Sequence, residues 1–247
     1  LFTLLIAILL GQRFALVYGG VLSLFLLFAV DFDAPTFVFG LLAMEGGALV
    51  VRKVESRIEL VRSGVLLACI ESAAAAVVLA ASSRTLLGFV QPVLSSAANG
   101  LACGLLSLAI MPVLEQALNA PTRFRLIELS DLNAPILKRL LSVAPGTYSH
   151  SVAVAQLAES ACRDIGADAL LARVGAYYHD IGKIDQPKYF VENQTGYNKH
   201  DAINPRLSAT IIRSHVKLGI ERARALGLPE EIVSIIGEHH GNSRITY

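Results

Sequence analysis

Charge is scarce in the first half of this chain. Residues 1–118 are mostly Leu, Ala, Val, Ile, Phe and Gly, whereas most charged side chains fall in 121–247. Cysteine is scarce throughout. Cys69, Cys103 and Cys162 show no CxxC spacing, which fits neither a disulfide framework nor a thiolate zinc knuckle. The formal net charge is only +1, and no basic stripe with interleaved aromatics appears. A nucleic acid polymer is therefore not an expected partner. No alternating strand pattern occurs, so the fold class is all-α. The apolar run at Leu1 has no charged segment before it, which argues against a signal peptide. The expectation is a chain that begins inside a transmembrane helix and is cut, rather than ended, at Tyr247.

What is present is a hydrophobic excess, 54% of 247 residues, concentrated at one end. A helix needs about 20 apolar residues to cross a bilayer. Leu1–Leu10 is half of such a span. Phe14–Val30, Thr36–Val51, Ser63–Ala81 and about Pro92–Leu118 read as four more, so residues 1–118 form a transmembrane helical region. Arg52, Lys53, Arg57 and Arg62 crowd one short loop, which the positive-inside rule assigns to the cytoplasm. Counting spans from that loop puts Asp31–Pro35 and Ser82–Gln91 outside, and delivers the chain after Leu118 to the cytoplasm. The partner implied is a lipid bilayer, and the location a membrane crossed several times. Glu45 and Glu71 lie within spans. Each either packs against a neighbouring helix or serves a ligand or proton role. Gly46-Gly47 and Ala73–Ala76 are small-residue surfaces suited to close helix packing.

Residues 119–247 read as a soluble helical domain. Pro135 opens a short helix through Leu141. Thr147 is a plausible cap for a helix through Ile165, and Asp168 opens another through Asp180. Residues 185–204 read as a long loop. Asn204-Pro205 starts a helix ended by Gly227, and Glu230 and Glu231 suit the first turn of a last helix.

Within this pattern the histidines stand out. His179-Asp180 closes an apolar helical run and is followed by Gly182 and Lys183. Neighbouring residues on a helix point about 100° apart, so such a pair converges on one point only where the helix ends. His150 shares a face with Val154, Leu157 and Ala161, and alone it would read as a hydrogen-bonded core histidine. Together with His215, His239 and His240, however, the set is hard to explain as packing, because burying five unpaired imidazoles is costly. Neutral imidazole is a common metal ligand. A nitrogen and oxygen donor set without thiolate suits iron, manganese, nickel or zinc.

The stretch His179-Asp180-Ile181-Gly182 resembles the signature of the HD-domain phosphohydrolases in the HDIG variant. Glu128–Asn133, Ala144–His150, Arg173–Lys183, Tyr189–Gln194 and Glu238–Gly241 are similar to the seven-transmembrane, PgpH-like HD family, over essentially the whole chain. The resemblance implies a membrane-anchored phosphodiesterase that opens cyclic di-AMP to linear pApA by in-line attack of a metal-bridging hydroxide. It implies two divalent transition metal ions, iron or manganese foremost. His150, His179 and Asp180 would hold one. Asp180 would bridge to a second, held by His215, His239 and His240. A further metal-binding aspartate of the family lies beyond Tyr247. Lys183 is the candidate for a scissile phosphate oxygen, or else a solvated lysine. His200, Arg206 and Tyr148 are candidates for substrate contact, and Tyr189 and Asn193 for a base or ribose. A cyclic dinucleotide is the expected partner, with a homodimer also in view. Rival readings are a hydrolase of another phosphate such as cyclic di-GMP, a nucleotide sensor without turnover, and a transporter using Glu45 and Glu71.

Overall fold

The computed structural model describes residues 1–51, 54, 56–80 and 86–241. Arg52 and Lys53 of the cationic loop, Ser82, Ser83 and Arg84 of the predicted connector, and Tyr247 lie outside these. Among the described residues all regular structure is helical, with no strand. The chain divides into two compact units, Leu1–Phe124 and Arg125–Tyr247.

The first unit holds α1 (Phe2–Leu9), α2 (Gln12–Ala29), α3 (Ala34–Leu49), α4 (Arg57–Ala80) and α5 (Leu86–Leu118). Three of these, α2, α4 and α5, are long and apolar enough to cross a membrane. The expected span Thr36–Val51 is shorter. α3 has 16 residues, about 24 Å at 1.5 Å per residue, against a hydrocarbon core of about 30 Å. Its start is fixed by Asp33, whose carboxylate accepts from Thr36 N at 3.0 Å. The polar stretch before Ser63 and the segment before Pro92 were expected outside the spans, yet both are partly helical. Arg57, the first residue of α4, has its guanidinium 3.7 Å from Glu115 Oε2. Arg57 is thus an ion-pair partner as well as a topological marker.

α4 and α5 meet backbone on backbone. A Cβ added to Gly100 of α5 would lie 2.3 Å from Ala68 N of α4, and one on Gly104 would lie 2.6 Å from Gly64 Cα. Both pairs are spaced by four residues, so each helix presents one bare stripe to the other. Glu71 is buried on the same pair of helices and accepts from Asn99 Nδ2 at 2.9 Å. Glu45 faces α2, its Oε1 only 3.1 Å from where a Gly19 Cβ would stand. Both carboxylates therefore face a neighbouring helix.

The second unit begins within α6 (Arg123–Leu129) and continues through α7 (Pro135–Val143), α8 (Pro145–Asp164), α9 (Ala169–Tyr178), α10 (Pro205–Ala225) and α11 (Glu230–Glu238). Leu137, Leu140, Val174, Tyr178, Ile181, Ile232 and Ile236 form its buried core. Each such aliphatic side chain contributes about 1.5–3 kcal/mol. The Tyr178 hydroxyl donates to Leu129 O at 3.0 Å, joining α9 to α6. Burial, then the nearby Asp131 charge, pushes that phenol up to about 12. Thr147 is not the cap of α8, which starts two residues earlier at Pro145, a residue suited to a first turn because it has no N–H to satisfy. The predicted loop 185–204 holds three short 3-10 turns, Pro187–Tyr189, Val191–Asn193 and Lys199–Ala202.

Gly104→Leu would force a side chain into the bare stripe. Thermal unfolding of the full chain in detergent micelles should reveal a loss of about 1–3 kcal/mol. Leu101→Ala, at an exposed position of the same helix, should cost far less.

Candidate metal centre

The centre is assembled from helix ends. α9 runs to Tyr178, and His179 still has helical backbone angles. Asp180 leaves them, with φ −110° and ψ 15°, and leads into a 3-10 turn, Ile181–Asp185. That departure swings its carboxylate round, so that Oδ2 lies 3.0 Å from His179 Nε2. Ile181 and Ile184, three apart and buried, anchor the turn in the core.

Gly182 allows this turn to rest directly on α10. A Cβ there would lie 1.8 Å from His215 O and 2.6 Å from Gly219 N. Its backbone φ is ordinary, so close approach rather than a left-handed turn accounts for the glycine. Arg222 fastens the same contact, donating to Ile181 O at 2.7 Å and to Asp185 Oδ1 at 2.8 Å. In consequence His215, mid-helix and 2% exposed, has Nε2 3.4 Å from Asp180 Oδ1. α11 ends at Glu238, and His239 and His240 follow at its terminus. His239 Nε2 is 3.7 Å from Asp180 Oδ1. His240 Nε2 is 3.1 Å from His215 Nε2. His150, one turn into α8 and exposed, lies beside His179, ring centroids 5.4 Å apart.

Two donor groups result: His150, His179 and Asp180, and His215, His239 and His240. Three of the imidazoles are oriented in the same way. Nδ1 of His179 donates to Ala176 O at 2.7 Å, Nδ1 of His239 to Ile236 O at 2.8 Å, and Nδ1 of His215 to Ile212 O. Each bond places the N–H on Nδ1 and turns the Nε2 lone pair toward the centre, as metal-ligating histidines require.

The electrostatics point the same way. Burial pushes His239 down to about 4 and lowers His215 as well, so both rings are neutral at pH 7. Burial alone would raise the Asp180 carboxyl. His179 and then Lys183, both beside Oδ2, outweigh it and hold Asp180 well below the usual carboxylate range. Asp180 Oδ1 is buried, accepts no hydrogen bond, and faces imidazole lone pairs. A buried unsatisfied polar atom costs about 1–3 kcal/mol, and more when charged. A cation among these nitrogens and Oδ1 removes that cost. The donors fit a metal.

A cavity of about 500 Å³ opens on the centre, lined by both groups except His215, and by Val154, Ala158, Ala172, Ala176, Ile235 and Lys183. Lys183 is not a solvated lysine. Its Nζ contacts Asp180 Oδ2 at 2.8 Å and Glu192 Oε1 at 2.9 Å. The other substrate candidates do not line this cavity. Tyr148 packs on the core, and Arg206 is exposed in the first turn of α10. His200 is engaged at both nitrogens, by Tyr189 O at 2.7 Å and by the Ser208 hydroxyl. Tyr189 stacks edge-on against His200. Asn193 accepts from Thr147 N at 3.1 Å. The Glu192 link was not foreseen, since no short-range spacing marks it.

A helical domain with a His-Asp pair at a helix end and imidazoles from two further helices around one carboxylate defines the HD class of metal-binding domains. Residues 147–246 match the family model of the HD domain. Residues 1–122 match the model described as 7TM receptor with intracellular HD hydrolase. The chain belongs to the seven-transmembrane HD family. The cyclic-di-AMP phosphodiesterase PgpH of Bacillus subtilis is 38% identical over 213 residues, covering 85% of this chain and 30% of that protein. PgpH of Listeria monocytogenes is 36% identical over 250 residues, covering 99% of this chain and 35% of that protein. The chain thus spans about a third of the length of these curated relatives. The crystal structure of the L. monocytogenes PgpH HD domain in complex with cyclic-di-AMP is 50% identical, with a TM-score of 0.46, covering 47% of this chain and 54% of that one.

Gly182→Ala should drive the turn away from α10 and separate Asp180 from His215. The expected result is a stability loss of about 1–3 kcal/mol or more, with weakened manganese binding. Calorimetric titration of the full chain in detergent checks it.

Proposed function

We propose that the HD unit of this chain is a metal-dependent phosphodiesterase that opens cyclic di-AMP to linear pApA. Asp180 carries this reading. Its Oδ2 stands at His179 and its Oδ1 faces His215 and His239, so one carboxylate lies between the two donor groups. Two divalent ions, iron or manganese by donor type, would be held by His150, His179 and Asp180, and by Asp180, His215, His239 and His240. When bound, such a pair supplies Lewis acidity and an activated water for in-line attack at phosphorus.

The chain's own residues supply the rest. The three Nδ1–H bonds to helix carbonyls keep the histidines aimed without further reorganisation. Lys183 places an ammonium on the cavity wall, within reach of a phosphoryl oxygen. The choice of adenine is supported by the named activity of the relatives, PgpH of B. subtilis and of L. monocytogenes. The three apolar helices long enough to span, with Arg13, Arg57 and Arg62 at or near helix starts, support a membrane protein with its HD unit in the cytoplasm.

The test uses the full chain in detergent micelles. Metal per chain is determined first, and cyclic di-AMP and cyclic di-GMP are then offered. About two metals and preferential opening of cyclic di-AMP are expected, with Asp180→Ala reduced more than about 100-fold and depleted of both ions. Metal with turnover of neither dinucleotide would point to another phosphate substrate. Tight nucleotide binding without metal would make the unit a sensor.

A further inference from the structure

Lys183 poses a difficulty for the metal centre. Its ammonium lies 2.8 Å from Asp180 Oδ2, the same oxygen that His179 Nε2 approaches at 3.0 Å. An ion held by His150, His179 and Asp180 must take that oxygen from the lysine. A divalent ion and an ammonium sharing one carboxylate oxygen repel each other. Unless the ammonium has somewhere else to go, it competes with the ion.

Glu192 is that alternative. Its Oε1 lies 2.9 Å from Lys183 Nζ, and its side chain is only 25% exposed. The same oxygen accepts from Thr147 Oγ1 at 2.8 Å. Thr147 is fully buried in the first turn of α8, one residue from Tyr148 and three from His150. Asn193 completes the tie, accepting from Thr147 N at 3.1 Å and donating to Thr147 Oγ1 at 2.7 Å. The backbones are as close as the side chains, since a Cβ on Gly146 would lie 1.8 Å from Glu192 O. A carboxylate held this firmly cannot follow the lysine. The lysine must move to it.

We propose that Glu192 is a positioning residue that draws the Lys183 ammonium off Asp180 when metal enters and holds it at the edge of the cavity. The inference rests on the metal reading of the centre and extends it to a residue outside both donor groups. Glu192 contacts neither group. It acts through Lys183, and its bond to Thr147 keeps that action in register with the helix carrying His150.

A double-substitution cycle on manganese affinity separates this role from a merely structural one. Calorimetric titration of the full chain in detergent with manganese alone needs no substrate. Glu192→Gln keeps an acceptor for Thr147 and removes the charge. It should weaken manganese binding about ten-fold, the lower end of what residues behind metal ligands contribute. In the Lys183→Gln background the same substitution should change affinity less than about two-fold. Thermal unfolding of each metal-free variant checks that the fold is kept. A ten-fold loss in both backgrounds, or no loss in either, would overturn the proposal. If the unsubstituted chain binds no manganese, iron or zinc, the metal reading itself falls, a result distinct from additivity in the cycle.

Discussion

The structure of the second unit depends on one buried carboxylate. Asp180 is 2% exposed and has two oxygens in different surroundings, one between His179 and Lys183, the other facing lone pairs of His215 and His239. Burying an ionised carboxylate among neutral imidazoles is unfavourable unless a cation is shared among them. α9 and α11 both end at this point. The chain also departs from good helix there, with Asp180 outside helical angles and a 3-10 turn directly after it.

The two donor groups were visible in the sequence because histidine is rare here and several of their members stand where helices stop. His179-Asp180 ends an apolar run, and His239-His240 precedes Gly241, whose φ of +54° closes the chain's last described turn. Helix boundaries marked by local chemistry were equally readable. Asn204 accepts from Leu207 N at 2.8 Å, and Asp168 accepts from the amides of Leu170 and Leu171.

Contacts between distant segments could not be read in this way. Thr147 meets Glu192 and Asn193 across some 45 residues, and Arg222 meets Ile181 across 41. Thr147 resembles a cap in sequence only because nothing nearby shows its real partners. Gly182 could be taken for a turn former, whereas its absent Cβ leaves room for the backbone of α10. Gly100 and Gly104 show a spacing of four, but only the facing Gly64 and Ala68 give that spacing its meaning. Tyr148 packs on the core and His200 bonds within its loop, contacts that no nearby residue announces. Polarity does not reveal which side of a loop faces a cavity.

The direct contact of Gly182 with α10 has a consequence for exchange. No side chain intervenes between the turn and the helix, so Asp180, His215 and the elements carrying them share one stiff body. His150 arrives instead on an exposed turn of α8, tied in through Thr147. The two donor groups therefore differ in stiffness, and an ion held with His150 would leave for solvent sooner than one held with His215.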